Sequence, residues 1–394
     1  MLNDRILELA YSIERVIVDC RRHFHEFPEL DSDVALTADH IVKTLQEHHI
    51  PCRIIPGGGV LGFVRGRNDG RTCALRADMD ALPIREENSF PYASAIPGLM
   101  HACGHDAHMA VVIGAALILN SLGDAFSGLV KLIFQPAEET TGGAMKMIEE
   151  GVLQAPDVEA VFGFHVTPDL PTGTLGVKNG KIRAASDMFD VTVGGISSHG
   201  AEPDKGLDAI AVASYLITGL HQNMSRKVSP LEQAVLSIGK IRGGSARNIL
   251  CDEVCFSGIL RSADEDLRVR LKGEILKMVT LIPESMGGRG GIDFIEGYPS
   301  MVNDPSMTDL VRASFRGLFP DGEIKELELP SMGVDDFSYF LQKVPGSYFL
   351  FGTGGDFPLH HPRFDIDEKQ LPRISALLAT IAMNCLSCPD QVYG

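Results

Sequence analysis

The chain has 394 residues, 44% of them hydrophobic and 22% charged, and a formal net charge of −17. This is the composition of an ordinary globular protein of two or three domains, or of one long domain carrying an inserted one. The acidic balance, with no basic stripe, argues against nucleic acid as a partner, and no apolar run approaches the roughly 18 residues of a membrane span.

The first residues, Met1 to Ile6, lack the basic-then-apolar pattern of an export signal, and this predicts a cytoplasmic protein. The eight cysteines are scattered and do not read as a disulfide framework. Cys20, Cys52, Cys73, Cys251 and Cys255 lie in apolar or strand-like contexts and are expected to be small buried hydrophobes. Cys385 and Cys388 form a lone C-x-x-C without visible partners.

Apolar spacing predicts an amphipathic helix over 3–22, with Ile6, Leu9, Ile13, Val16 and Ile17 on one face. It runs into Arg21-Arg22-His23-Phe24-His25-Glu26-Phe27-Pro28. The local reading is a helix end stopped by Pro28, with His25 and Glu26 hydrogen-bonded nearby. A second helix is expected over 37–49, and Gly57-Gly58-Gly59 turns the chain into a strand over 60–64. The next strand, 72–77, delivers Asp78-Met79-Asp80, whose carboxylates alternate in direction, so that one can face a site while the other supports the loop. Strand C-terminal ends are where α/β sheets place ligands.

Met100-His101-Ala102-Cys103-Gly104-His105-Asp106-Ala107-His108 packs three His, one Cys and one Asp into a short run. A merely polar loop does not account for that density. Thiolate beside imidazole is a donor set for zinc, cobalt, nickel or manganese, and Gly104 lets the backbone turn sharply between Cys103 and His105. An apolar helix over 109–122 follows, so the donors sit at a helix entry, where the dipole favours thiolate. A strand over 129–134 ends in Gln135-Pro136-Ala137-Glu138-Glu139. One of these glutamates can ligate metal while its neighbour takes a proton from metal-activated water. A strand over 159–164 ends in His165.

Beyond Lys181 the pattern changes. Strand 187–193, helix 206–223, strands 234–241 and 249–261, helix 264–286 and strand 292–296 give a β-α-β-β-α-β order, the ferredoxin-like split βαβ. Residues 181–296 therefore read as a small α+β domain inserted into an α/β domain of 1–180 and 297–394. The insert carries Ser198-His199, Ala246-Arg247-Asn248 and Arg261 as polar features. Helices over 305–319 and 334–341, a strand over 346–351 and a loop with His360-His361-Pro362 follow. A last helix starts near Asp367, with Asp367 and Gln370 as a capping box.

The donors thus fall at Cys103 and His105, Glu139, His165, and one of His360 and His361; spacing does not decide between the last two. Such a set exceeds one structural zinc and fits a two-metal hydrolytic site with Glu138 as general base, then as the acid that protonates the leaving amine.

The sequence resembles the aminoacylase and carboxypeptidase-G2-like dinuclear metallopeptidases over essentially its whole length. The nearest branch is the N-acyl-amino-acid amidohydrolases, which include hippurate hydrolases and auxin-conjugate hydrolases. The resemblance rests on Arg22-x-x-His25-x-x-Pro28-Glu29-Leu30, Arg76-Ala77-Asp78-Met79-Asp80-Ala81-Leu82-Pro83, His101-Ala102-Cys103-Gly104-His105-Asp106 and Phe134-Gln135-Pro136-Ala137-Glu138-Glu139. Gly163-Phe164-His165, Ser198-His199, Asn248, Arg261, Asp336-Phe337-Ser338 and His360-His361-Pro362 extend it.

The resemblance implies a mixed-sheet α/β catalytic domain with the insert as lid and dimerisation domain. Cys103, His105, Glu139, His165 and His360 would hold two divalent metal ions per subunit, with manganese favoured over zinc, cobalt or nickel. Glu138 would be the base and Asp80 would support it. His199 would reach a partner subunit's site and stabilise the oxyanion, and Asn248 and Arg261 would grip the substrate carboxylate. The implied reaction is hydrolysis of an N-acyl L-amino acid by a cytoplasmic homodimer. A dipeptidase or carboxypeptidase of the same fold, or an inactive binding protein on that scaffold, are the alternatives; dipeptides against acyl amino acids separate the first. One departure stands out: the family commonly has Glu where this chain has Asp335.

Overall fold

The computed structural model describes residues 2–387, in two compact units. The larger takes in the chain up to Gly180, Val302–Glu328 and the chain from Asp335 onward; the smaller is Lys181–Met301 with Leu329–Val334.

The chain opens with α1 (Leu2–Ser12) and α2 (Glu14–Glu26). The single helix expected over 3–22 is bent at Ile13, whose dihedrals (φ −104°, ψ 9°) leave the helical range. Hydrogen bonds from Ile13 N to Leu9 O and from Ile17 N to Ile13 O, both 3.1 Å, carry the ladder through the bend. The apolar period persists across it, which is why the pattern reads as one helix. Then come α3 (Ala35–Glu47), β1 (Cys52–Ile54), β2 (Val60–Arg65), β3 (Thr72–Asp78) and α4 (His105–Ser121). They are followed by β4 (Leu129–Gln135), α5 (Gly143–Glu149), β5 (Ala160–Thr167), β6 (Leu175–Val177) and β7 (Gly180–Arg183).

The smaller unit runs β8 (Ala185–Gly194), α6 (Ala209–Lys227), β9 (Ala234–Gly243), β10 (Glu253–Ser262), α7 (Glu265–Ser285) and β11 (Arg289–Glu296). Its antiparallel sheet has the order β11-β8-β10-β9, the ferredoxin-like arrangement. Alternation decides its faces: Phe189, Val191 and Val193 point into a core with Val212, Leu216, Leu271 and Ile275, while Met188, Asp190 and Thr192 point outward. Asp208 and Asp264 cap its helices, accepting from Ile210 N and Leu267 N. The unit extends past 296 to Met301 and gains Leu329–Val334, where Ser331 N donates to Ile182 O and Ala184 N to Ser331 O, both at 2.9 Å.

The chain returns through β12 (Met301–Asn303), α8 (Pro305–Leu318), β13 (Ile324–Glu326), α9 (Ser338–Leu341), β14 (Gly346–Gly352) and α10 (Leu371–Ser387). The helix expected over 334–341 shrinks to α9. The Asp335 carboxylate accepts the Phe337 N–H at 2.9 Å, a local turn that competes with helix. At the last helix, Asp367 accepts from Lys369 N, and Gln370 Nε2 returns to the Asp367 side chain at 3.1 Å rather than to its backbone. The cap is present but is not the reciprocal box.

The larger unit is built on an eight-stranded mixed sheet, β1-β2-β4-β3-β5-β14-β6-β13. Its centre, β4-β3-β5-β14, is parallel, and β3, β4 and β5 are buried throughout. Parallel strands buried on both faces read as continuous apolar runs, as here. Their C-terminal ends open on one edge. β5 runs to Thr167, so His165 lies inside the strand, not after it. Pairing with β14 continues through Gly352 opposite Thr167, and this extends the strand.

α4 is buried from His105 to Leu119 and packs on β3, α2 and α10. Each large apolar side chain buried there contributes about 1.5–3 kcal/mol. Gly114 permits the approach, since a Cβ would meet Ser375 Oγ at 2.4 Å and Ile17 Cδ1 at 2.8 Å. No disulfide joins the described cysteines; Cys20, Cys73 and Cys251 are buried and Cys52 is half-buried. Cys255 is exposed, contrary to expectation, because strand alternation puts it on the open face between buried Val254 and Phe256. Cys385 is buried, and together with burial it holds the Cys73 thiol well above its ordinary value, while Cys388 lies outside the described residues. Among the described residues no helix is long and apolar enough to cross a membrane.

Candidate metal centre

The shared edge of β4, β3, β5 and β14 gathers the donors. β3 leads to Asp80, β4 to Glu138 and Glu139, β5 carries His165, and β14 leads to the turn bearing His360. The Cys103–His105 run enters α4 through Gly104, where φ is 90° and an added Cβ would clash with Val166 Cγ2, so that no side chain fits.

Hydrogen bonds set the imidazole tautomers. His105 Nδ1 donates to the Asp80 carbonyl at 2.7 Å, and His165 Nδ1 donates to the Val166 carbonyl at 2.6 Å. Each ring is thereby left with its Nε2 lone pair toward the site, the arrangement that metal-ligating histidines use. His105 Nε2 is buried without a hydrogen-bond partner among the described residues. It lies 3.7 Å from Asp78 Oδ2 and 4.0 Å from Glu138 Oε2.

Cys103 Sγ is the point of convergence. His165 Nε2 is 3.4 Å from it and His360 Nε2 is 3.3 Å from it, and His360 Nε2 is also 3.2 Å from Glu139 Oε1. Two donor groups, Cys103-His105-His165 and Cys103-Glu139-His360, each have their ligand atoms within 4.8 Å of one another, and Cys103 belongs to both. His361 does not join them; its ring stacks on Phe357 at 4.5 Å and its Nδ1 accepts the Arg363 N–H. His360 has φ 65°, held by its N–H to Ala102 O at 2.8 Å. A buried, unpartnered imidazole nitrogen among thiol, carboxylate and further imidazole donors fits divalent metal, which these residues would hold.

The glutamates are placed by Asp80, whose two carboxylate oxygens accept Glu138 N–H at 2.9 Å and Glu139 N–H at 3.0 Å. Their charges diverge. Burial, then Asp335 and Glu139, push the Glu138 carboxyl well above its ordinary value against the pull of His105. Glu139 is held below its ordinary value, burial notwithstanding, by His360 and His105. One carboxylate suited to holding a proton beside one that stays ionised is the usual division between acid–base and ligand roles. Burial and Glu139 push the Cys103 thiol up, and a cation would reverse that.

Behind the donors sits a buried charge cluster that sequence reasoning missed. Arg76 donates to Asp78 Oδ2 at 2.6 Å, Gln135 Oε1 at 2.9 Å and Asp336 Oδ1 at 2.9 Å, and lies 3.5 Å from Asp335 Oδ1. Burial would raise Asp78, yet His105, His108 and Arg76 hold it well below the carboxylate range. Burial pushes Asp336 up to about 7, against Arg76 and with Asp335. Asp335 keeps a partner despite its shorter side chain, accepting Tyr348 O–H at 2.6 Å. Asp78 also accepts His108 Nδ1–H at 2.6 Å, while His108 Nε2 accepts Val166 N–H. The Arg76-Ala77-Asp78 triplet was the available signal, since an Arg inside a buried strand needs acidic partners.

His25, expected to bond locally, reaches Asp106 and Glu86, 81 and 61 residues away. The helix end places its ring inward, as α2 buries Arg21, Phe24 and His25 together.

The remaining candidates lie in the smaller unit. His199 is exposed, and its Nδ1 accepts Ala201 N–H at 3.1 Å, leaving Nε2 to donate. Bonds from Gly200 N to Asn248 O and from Leu250 N to Ser198 O set His199 and Asn248 on adjoining strands of chain. Arg261 Nη1 donates to Met332 O at 2.6 Å, and its Nε is buried without a partner among the described residues.

A mixed α/β sheet whose edge gathers thiol, imidazole and carboxylate groups able to hold metal, with a further buried carboxylate beside them, is the arrangement of a metal-dependent hydrolase. Residues 74–384 match the model of peptidase family M20/M25/M40, and the chain belongs to that family. It is 38% identical to the N-acetyl-L-cysteine deacetylase of Bacillus subtilis (96% of this chain, 90% of that one). It is 35% identical to the IAA-amino acid hydrolase ILR1-like 2 of Arabidopsis thaliana (98% and 89%). A solved Bacillus subtilis structure, described as a dinuclear metal binding peptidase from the M20 family, superposes with a TM-score of 0.85 at 34% identity, covering 95% and 99%.

Proposed function

We propose that this protein hydrolyses N-acyl L-amino acids to a carboxylate and a free amino acid, using two divalent cations per subunit. The observation that carries the reading is the Cys103 sulfur, within reach of both His165 and His360 and common to two donor groups. Cys103, His105, Glu139, His165 and His360 would hold the cations, manganese foremost, then zinc, cobalt or nickel. Bound there, they supply Lewis acidity that polarises an amide carbonyl and lowers the pKa of water.

Glu138 takes the proton of the attacking water as the C–O bond forms, then delivers it to the nitrogen as the C–N bond breaks. Asp80 holds the Glu138 backbone during both transfers. His199, with a donor nitrogen outward, would stabilise the oxyanion of a partner subunit's site, making the working form a homodimer joined through the smaller unit. Asn248 and Arg261 would bind the substrate carboxylate, for which the Arg261 Nε is available. Free cysteines support a reducing, cytoplasmic setting.

The test is amino-acid release from N-acetyl and N-benzoyl L-amino acids, against a dipeptide panel, by protein stripped of metal and reloaded. Release from acyl amino acids that depends on metal and disappears in Glu138→Ala is the expected result. Release from dipeptides alone, or from neither set with metal bound, contradicts the proposal.

A further inference from the structure

We propose that His25 is a positioning residue for the metal centre: as an imidazolium it clamps the entry of α4, next to Cys103 and His105, to the 83–99 loop, which is tied to the turn bearing His360. The proposal rests on the reading that these donors hold cations.

The ring is fully buried. Its Nδ1 lies 2.8 Å from Asp106 Oδ2 and its Nε2 lies 3.1 Å from Glu86 Oε1. Ionised carboxylates only accept, so both ring nitrogens must donate, and only the doubly protonated ring can. Asp106 is ionised, because Arg21 Nε donates to the same oxygen at 2.8 Å. Burial opposes the imidazolium, but Asp106 and Glu86 outweigh it and hold the proton above the ordinary histidine value.

Each partner leads to the donors. Asp106 follows His105 directly and lies in the first turn of α4, where a carboxylate also suits the helix dipole. Glu86 closes the loop on itself, accepting Ser94 N–H at 2.6 Å and Asn88 Nδ2–H at 3.0 Å. The next residue, Glu87, donates its N–H to Pro362 O at 2.9 Å, two residues from His360. The His360 N–H returns to Ala102 O at 2.8 Å, beside Cys103. The contacts form a closed circuit through Asp106, His25, Glu86, Glu87, Pro362, His360 and Ala102, with the shared Cys103 at its end. His25 touches none of the donor atoms, so it acts through the residues it holds.

Mn2+ titration of stripped wild-type and His25→Asn protein, read from the EPR signal of free Mn2+, tests this, with kcat and KM measured alongside. Asparagine is too short to span both carboxylates and carries no charge. The expected result is a 10- to 100-fold weaker constant for at least one of two Mn2+ ions, the usual cost of losing such an outer partner. A fall in kcat with little change in KM should accompany it. Should His25→Asn fail to fold, Glu86→Gln carries the test, since it keeps an acceptor for Ser94 and removes the charge; the same direction of change is expected. Wild-type constants and kcat in the variants, even with lower stability, assign His25 to the fold alone and overturn the proposal. Wild-type protein that binds no Mn2+ removes the metal reading, and this proposal with it.

Discussion

Asp80 accepts the backbone N–H of Glu138 at 2.9 Å. Its second oxygen takes the Glu139 N–H, and its carbonyl takes the His105 Nδ1–H. One residue thereby orients Glu138, the Glu139 backbone and the His105 tautomer. It also holds a strained turn, since Ala137 just before the glutamates has φ 61°, a conformation that costs of order 1–3 kcal/mol outside glycine. An asparagine offers only one acceptor oxygen, so one N–H would face an NH2 group. Asp80→Asn should lower kcat by about 10- to 100-fold, read in metal-reloaded protein; wild-type turnover would contradict the arrangement.

Glu138→Gln should retain both cations, because the donor set is untouched. Without a base that can carry the proton, kcat should fall by about 10²- to 10⁴-fold. Single-turnover assays with metal analysis separate this from simple loss of cations. Loss of metal together with activity would make Glu138 a ligand instead.

Gly104→Ala should destabilise the protein. The new Cβ meets Val166 Cγ2 at 2.4 Å in a backbone with φ 90°, at a cost of about 1–3 kcal/mol. Because Val166 follows His165, relief of the clash moves His165 relative to Cys103, so metal affinity should fall too. Denaturant unfolding of stripped and loaded protein reads both effects; an unchanged midpoint in each would refute the packing argument.

His40 predicts an acid-side loss of stability remote from the donors. Burial, with His23 stacked on it at 3.7 Å and Lys43 near, pulls His40 down to about 4. The unfolded chain takes up that proton near pH 6.5 while the folded chain resists. This contribution is therefore complete above about pH 6.5 and is lost as the pH falls toward 4. Urea midpoints at pH 7 and pH 5 should differ less in His40→Gln than in wild type. An equal drop in both would show that His40 does not contribute.

The meeting of Cys103, His105, Glu139 and His165 at one edge was legible because each stands in a short motif bordering a buried apolar helix or strand, so topology carries them together. His165 shows the limit of that logic. Its strand runs on through pairing with β14, a partner nearly two hundred residues downstream in sequence, which no local pattern reports. The partners of His25 were illegible for the same reason: Asp106 and Glu86 are 81 and 61 residues away. For Arg76 the near partner Asp78 was in view, but Asp336, 260 residues away, is brought to it only by the fold. Cys255 is different, since its place between two buried residues of an antiparallel strand puts it outward once alternation is applied.

The most direct test of the two-cation centre is a Co2+ titration of the stripped protein, followed by absorbance and metal analysis. The account predicts two Co2+ per chain with a thiolate-to-cobalt charge-transfer band, and loss of that band in Cys103→Ser. A single Co2+ per chain, or two without any thiolate band, would contradict a centre in which Cys103 is shared.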